Sequence, residues 1–429
     1  MKSKFIKSTI ILIIGGLITK LLGMFIKIVL TRTIKEEGIS LYMLILPTFN
    51  LFITLCTLGL SPAISKLISE RKRKSKNIIL SLIPLVIIYN LILIILIIII
   101  SPLLSNVLLQ NSNTYYPIIA IGLTLPFICI SSIIKGYYFG KERMFPHTLS
   151  NIIEQLTRLL LTITYIPKLL NYGIVYSVTG VVLINIISEF ISIIILLLFL
   201  PKNEIITIED YKTDKIILKD ILSISIPSTG SRLIGSIVYF FEPIILTFIL
   251  KYVGYDYNYI TLEYGIINGY VYPLLLMPSF FTLAISNALL PVISNNYTNN
   301  RKEYSKNKLK QAITFSLIIG IPFTLIFIFI PNIPLNLIYK TTSGLNYIPY
   351  LAPFFLLYYV QSPLTSTLQG MGKAKEAMYG TLIGSLIKTI SLIILSFLKI
   401  GLWSLLISNI LNILYVTIQH YYVVHKYLN

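Results

Sequence analysis

The chain has 429 residues, of which 55% are hydrophobic and only 12% are charged, and its formal net charge is +19 at pH 7. Its mean hydropathy is +0.83. A soluble protein of this length needs far more polar surface to cover its core, so the composition excludes an ordinary soluble domain and indicates an integral membrane protein built from α-helices.

Apolar stretches of about 20 residues recur along the whole chain, and this is the length at which an α-helix crosses a bilayer. The first follows a basic segment, MKSKFIK, that is typical of a signal peptide, but the stretch is too long and lacks a cleavage site of small residues, so we expect a retained helix. The pattern predicts about twelve spans: 5–30, 40–66, 78–101, 116–138, 147–169, 173–200, 221–250, 264–293, 311–333, 346–369, 377–398 and 401–424.

Lysine and arginine concentrate in alternate loops between these spans. The set of loops that includes both chain ends holds most of them, among them RKRKSK at 71–76. Because basic loops stay in the cytoplasm, we expect a multi-pass protein of the cell membrane with cytoplasmic N- and C-termini. We expect the basic loops to attract anionic membrane lipids as partners. We expect no nucleic-acid partner, because no soluble domain accompanies these charges.

One long hydrophilic connector, residues 201–220, lies at the middle of the chain. It predicts two six-helix bundles, 1–200 and 221–429, which an even number of spans would insert the same way up. Two pairs of similar segments support an internal repeat: TKLLG (19–23) with SRLIG (231–235), and GYYFGKERM (136–144) with QGMGKAKEAM (369–378).

Charged side chains inside the predicted spans are costly in a bilayer, so they are expected to pair or to face a water-filled cavity. The cations outnumber the acids, and a cationic surplus suits an anion such as a phosphate group. We therefore predict a substrate-binding cavity at Lys20, Lys27, Arg158, Arg232 and Lys388, and paired or ion-coupling carboxylates at Glu154, Glu189 and Glu242.

Structural interpretations of the same residues stay open. Lys20 and Lys27 could extend their ammonium groups to the membrane surface. Glu154 and Arg158 are four residues apart and could form a purely structural ion pair on one helix face. Pro227, just before Arg232, is the candidate for a functional helix bend, although membrane helices tolerate proline generally.

Signatures of enzymes are missing from the sequence. GYYFGKE at 136–142 is one residue short of a phosphate-binding loop and ends in glutamate where serine or threonine is required. Two cysteines and three scattered histidines do not form a metal-binding pattern. We expect no enzyme activity, no cofactor and no metal, and we expect any energy to come from a proton or sodium gradient, the membrane potential or the substrate gradient.

Three segments, 11–69, 151–160 and 226–246, resemble the stage V sporulation protein B group, in the polysaccharide-exporter branch of the multidrug/oligosaccharidyl-lipid/polysaccharide flippase superfamily. The resemblance implies a MATE-like fold of two six-helix bundles in a V around a central cavity. It implies alternating access that moves an undecaprenyl-pyrophosphate-linked glycan, such as a peptidoglycan precursor, from the inner to the outer leaflet. It also places Lys20 and Lys27 at the cavity, with Arg232 in the corresponding helix of the second half.

The same resemblance implies a role in spore cortex or cell-wall synthesis, with cell-wall synthesis enzymes as partners. Many members of the group carry fourteen helices, two more than predicted here. Two other functions stay open. A cation-coupled multidrug antiporter of the same superfamily would need an acidic cavity, which the cationic surplus disfavours. A membrane scaffold for cell-wall assembly that does not transport would need neither Lys20 nor Arg232.

Overall fold

The computed structural model describes residues 2–70, 75–200 and 215–428, and throughout this part of the chain the regular structure is helical, which confirms the all-α fold class. Side chains are described except for 2–10, 76, 215–216, 227–228 and 231. The basic residues 71–74, most of the predicted connector 201–220 and the side chain of the predicted hinge Pro227 therefore lie outside the described residues.

The chain divides into two compact units, which we call unit 1 (Met1–Phe240) and unit 2 (Phe241–Asn429). One helix, α8, runs across the boundary between them. The helices are α1 Lys2–Thr57, α2 Leu60–Ser69, α3 Ser75–Leu80, α4 Ile83–Pro102, α5 Tyr115–Gly140, α6 Met144–Leu170, α7 Ile174–Leu198, α8 Lys215–Tyr252, α9 Tyr257–Ile266, α10 Tyr272–Leu275, α11 Ser279–Thr298, α12 Lys302–Phe329, α13 Asn332–Tyr339, α14 Ile348–Gly370, α15 Ala374–Phe397 and α16 Trp403–Leu428.

The predicted membrane spans fall mainly on these helices. By length and composition, seven helical segments of the described chain are able to cross a membrane, or eight if the bent pair Tyr257–Leu275 and Ser279–Thr298 is one span. Twelve were predicted. The difference arises because the two parts of α1, which meet at Lys35, count with α2 as one segment, Ile11–Ser69, that covers the first two predicted spans, and because α6, α14 and α16 contain no 18-residue stretch as apolar as those of the seven segments.

Unit 1 is organised around α5, which packs against α2, α4 and α7, while α6 packs against α1 and α7. Glycines allow α5 to approach α2 closely. A Cβ atom at Gly136 would lie 2.8 Å from the backbone oxygen of Ser61, and one at Gly140 would lie 2.8 Å from that of Ser65. A backbone atom has little freedom to move away, so this contact requires glycine.

Unit 2 repeats this arrangement with different residues. Its central helix is α14, which packs against α11, α12 and α16. A Cβ atom at Gly370, the last residue of α14, would lie 2.9 Å from the backbone oxygen of Leu290 in α11. Leu289, Ile293 and Leu368 belong to the buried apolar cluster at this contact.

The turns that follow α5 and α14 have the same backbone geometry. Three residues separate each helix from the next one, and the middle residue has a positive φ angle, 55° at Glu142 and 75° at Gly372. In each turn the third residue donates its N–H to a carbonyl in the last helical turn, from Arg143 to Tyr138 and from Lys373 to Leu368. These turns lie within the second pair of similar segments, so that sequence repeat has a counterpart in the backbone.

Replacing Gly140 or Gly370 with alanine is expected to lower the free energy of unfolding by about 1–3 kcal/mol, because the added Cβ would force the helices apart. Thermal unfolding of the purified protein measures this effect. Gly235→Ala is the matched control, because a Cβ there meets nothing within 4 Å. This control is expected to be neutral or stabilising by about 0.4–1 kcal/mol. Equal melting temperatures for all three variants would contradict the close-packing interpretation.

Candidate functional site

A pocket of about 210 Å³, which we call the unit-1 pocket, lies between α1, α6 and α7. Lys27 lines it from α1, and Gln155, Arg158 and Thr162 line it from α6. The three α6 residues are spaced by three and four positions, so they share one helix face. This face brings two of the predicted site residues, Lys27 and Arg158, to the same pocket. Tyr42 and Asn185 complete its polar lining.

Arg158 has a buried donor that the described part of the protein leaves unused. Its Nη2 atom donates to Glu154 Oε1 over 3.0 Å, which fixes the guanidinium group. Its Nε atom is buried and makes no hydrogen bond to any part of the chain that the structure describes. A buried donor without a partner costs about 1–3 kcal/mol. A bound anion would remove this cost.

Arg158 also belongs to a group of four charges beside this pocket, which we call the unit-1 charge cluster and which consists of Lys135, Glu154, Arg158 and Glu189. Lys135 Nζ on α5 lies 3.0 Å from Glu154 Oε2 and 3.8 Å from Glu189 Oε2. All four side chains are at most one quarter exposed. The formal charges of the cluster cancel, so Lys27, outside it, adds a positive charge to the pocket.

The other two predicted cations of unit 1 do not line the pocket. Lys20 and Arg232 are both exposed, and neither forms an ion pair with the described residues. Lys20 lies seven residues before Lys27, so both point to similar sides of α1.

A hydrogen bond of 2.8 Å between the hydroxyls of Thr54 and Ser236 links α1, which carries Lys20, to α8, which carries Arg232.

Lys388, the remaining predicted cation, is the counter-ion of an acid in unit 2. Its Nζ atom on α15 lies 2.6 Å from Glu242 Oε2 on α8, and the side chains are 20% and 6% exposed. Tyr264 on α9 donates its hydroxyl to Glu242 Oε1 over 3.3 Å. Two of the predicted site residues are thus brought together as a buried pair.

Lys135 is the main residue that the sequence interpretation missed. It lies only three residues from the predicted end of the span 116–138, where a lysine cannot be distinguished from a loop charge. Gln155 and Asn185 were also missed, although uncharged polar residues inside apolar helices are a usable signal, because such residues need partners there.

Two protein families match the sequence. The family described as "Polysaccharide biosynthesis protein" matches residues 5–297. The family described as "MatE" matches residues 269–395, which lie in unit 2.

The chain is similar to the stage V sporulation protein B of Bacillus subtilis (strain 168), with 34% identity over 439 residues that cover 100% of this chain and 85% of the relative. It is 23% identical to the lipid II flippase MurJ of the same organism, covering 91% of this chain and 77% of the relative. A solved inward-facing multidrug resistance MATE family transporter has a TM-score of 0.72 at 18% identity, covering 96% of this chain and 94% of the solved chain. At this identity the structural likeness concerns the fold alone.

Proposed function

The chain belongs to the polysaccharide biosynthesis protein family and is a membrane transporter of the multidrug/oligosaccharidyl-lipid/polysaccharide flippase superfamily, and from this premise we propose that it moves an undecaprenyl-pyrophosphate-linked glycan from the inner to the outer leaflet. The observation that carries the proposal is the unit-1 pocket, where Lys27 lies together with Arg158 and its unused Nε donor. A relative named as a lipid II flippase supports this substrate class.

The chemistry of the unit-1 pocket favours a phosphate group as its ligand. Arginine and lysine are the side chains that bind phosphate most strongly, through charge-assisted hydrogen bonds. The volume of about 210 Å³ is below the roughly 300–1,000 Å³ of pockets that enclose a drug-sized ligand. The pocket would therefore take the pyrophosphate, while the lipid tail stays in the bilayer. Exposure of the pocket first to the cytoplasmic and then to the outer side would carry the headgroup across.

We propose that Glu189 couples this movement to a proton or sodium gradient. Its Oε2 atom is buried without a hydrogen-bond partner in the described chain, and it lies 3.8 Å from Lys135, too far for a hydrogen bond. In contrast, Glu154 and Glu242 each have a cation at 3.0 Å or less. A proton or a sodium ion would satisfy the remaining oxygen of Glu189.

The proposed setting is the cell membrane, with both termini in the cytoplasm and anionic lipids beside the basic loops. The substrate would be a peptidoglycan precursor or a related polysaccharide unit for the spore cortex or the cell wall, where synthesis enzymes would receive it. A multidrug antiporter for cationic drugs is less well supported, because the pocket presents Lys27 and Arg158.

The test is translocation of a fluorescent undecaprenyl-pyrophosphate-linked sugar between the leaflets of proteoliposomes, with and without an imposed proton or sodium gradient. Lys27→Gln is expected to slow translocation about ten- to hundredfold, because it removes one charge-assisted hydrogen bond worth about 1.5–3 kcal/mol. Lys27→Arg keeps the charge and is expected to retain most of the rate.

Lys168→Gln is the matched control, since Lys168 is an exposed lysine of the same unit and lies over the ring of Tyr165. It should translocate at the rate of the unmodified protein. The proposal would be wrong if the unmodified protein moved no lipid-linked sugar under any gradient, or if Lys27→Gln, shown to be folded by its melting temperature, moved it at full rate. Efflux of cationic dyes in the same vesicles would then favour the antiporter.

A further inference from the structure

Unit 2 contains a second, larger pocket whose walls are aromatic. Its volume is about 540 Å³, and it lies at the first residues of α14 and α16. We call it the unit-2 aromatic pocket, and Asn346, Tyr347, Tyr350 and Trp403 line it. Trp403 is the single tryptophan of the chain.

The three rings form a compact group. Trp403 lies 5.4 Å from Tyr347 and 5.4 Å from Tyr350, measured between ring centroids, at interplanar angles of 74° and 83°. These are favourable edge-to-face arrangements, which hold the rings in place. Tyr347 is 9% exposed and Tyr350 is 65% exposed, so the group runs from the protein interior to its surface. A ligand would therefore meet aromatic surfaces that are already ordered.

Polar groups accompany the rings. The Tyr347 hydroxyl donates to Glu263 Oε2 on α9 over 2.7 Å, which anchors the base of the ring group to a carboxylate. Asn346 is exposed at the pocket and offers both an amide donor and a carbonyl acceptor. The nearby acid disfavours an anionic ligand.

From this combination we infer that the unit-2 aromatic pocket binds uncharged pyranose rings of a glycan. A pyranose has an apolar C–H face that packs on an aromatic ring and equatorial hydroxyls that need amide or carboxylate partners. Pockets that bind small molecules generally combine aromatic walls with a few such polar groups. The inference rests on the proposed function, because the predicted orientation of the loops puts this end of unit 2 on the outer side of the membrane, where the sugar of a translocated substrate would be.

The alternative occupant is the lipid interface, because tyrosine and tryptophan also form belts at membrane surfaces. Belt residues lie side by side around the perimeter of a protein. Here Tyr347 is buried, its hydroxyl is bound to a carboxylate, and the rings line one open depression. These three features favour a sugar.

The test is a titration of the full chain, in nanodiscs whose scaffold protein contains no tryptophan, with chitotriose, an uncharged trimer of N-acetylglucosamine, followed by tryptophan emission and by calorimetry. Because Trp403 is the single tryptophan, its emission reports directly on this pocket. Nanodiscs are needed because maltoside detergents themselves carry sugars. We expect a saturable change of emission with chitotriose and none with glycerol, which is a polyol without a ring.

Two variants locate the site. Tyr350→Ala is expected to weaken chitotriose binding about tenfold through loss of one aromatic contact, and Tyr350→Phe is expected to bind normally. Tyr172→Ala, which changes a tyrosine of unit 1 that is 75% exposed, is the matched control and should not alter binding. Absence of both a saturable emission change and a binding heat would overturn the inference. An emission change that follows only the lipid composition of the nanodisc would assign the rings to the interface and also overturn it. Because this test uses no transport, it can fail while the flippase proposal holds.

Discussion

Lys135→Met is expected to lower the free energy of unfolding by about 3–5 kcal/mol, because it leaves the two acids of the unit-1 charge cluster with only Arg158 as counter-ion. Lys135 is the residue that contacts both Glu154 and Glu189. Removal of one partner from a buried ion pair costs more than the pair contributes, since the remaining charge stays desolvated. Thermal unfolding of the purified protein measures the loss.

Two further variants separate charge from packing in this experiment. Adding Glu189→Gln to Lys135→Met removes one of the uncompensated charges, so the double variant is expected to recover part of the lost stability. Lys168→Met changes an exposed lysine and is expected to stay within about 0.5 kcal/mol of the unmodified protein. If Lys135→Met were as stable as Lys168→Met, the cluster would not contribute to the stability of unit 1.

Lys388→Met is the second substitution with a large expected effect. It is expected to lower the free energy of unfolding by about 3–5 kcal/mol, because it removes the ammonium group that lies 2.6 Å from Glu242. The double variant Glu242→Gln, Lys388→Met removes both charges and is expected to be considerably more stable than Lys388→Met alone. The measurement is a double-mutant cycle by thermal unfolding, with an expected coupling of about 1–3 kcal/mol.

The same cycle distinguishes a structural role of Lys388 from a role in substrate binding. If Lys388 only neutralises Glu242, the double variant should translocate the fluorescent lipid-linked sugar at nearly the normal rate. A folded double variant that does not transport would support the prediction that Lys388 belongs to the substrate site. Additive effects on stability, with no coupling, would show that the two side chains do not interact in the folded protein.

Much of the fold follows from the sequence, because a membrane leaves helices and closed barrels as the only spanning structures. The apolar runs therefore locate the helices well. The break between α1 and α2 at Leu58 and Gly59 was not predicted, since a single apolar run, 40–66, continues through it. The boundary expected between the first two spans coincides with Lys35, whose φ of 54° and ψ of −162° lie outside the helical region and divide α1 into two helical parts.

The candidate site was less predictable than the helices. The pair of Glu154 with Arg158 follows from a spacing of four residues on one helix. The pair of Glu242 with Lys388 joins α8 to α15 and depends on packing that no local pattern contains. Lys135 was not among the predicted site residues for the same reason, because only the approach of α5 to α6 and α7 brings its ammonium group close to two acids.

The matching turns after α5 and α14 indicate that the two units share one repeated backbone pattern. Backbone geometry with a residue at positive φ is costly for any residue except glycine, and unit 1 retains it at Glu142 where unit 2 has Gly372. The two units nevertheless differ in their charges. Among the described residues, unit 1 carries a cluster of four charged side chains beside the pocket that contains Lys27, and unit 2 carries one neutralised pair, so similar backbones hold different electrostatic environments.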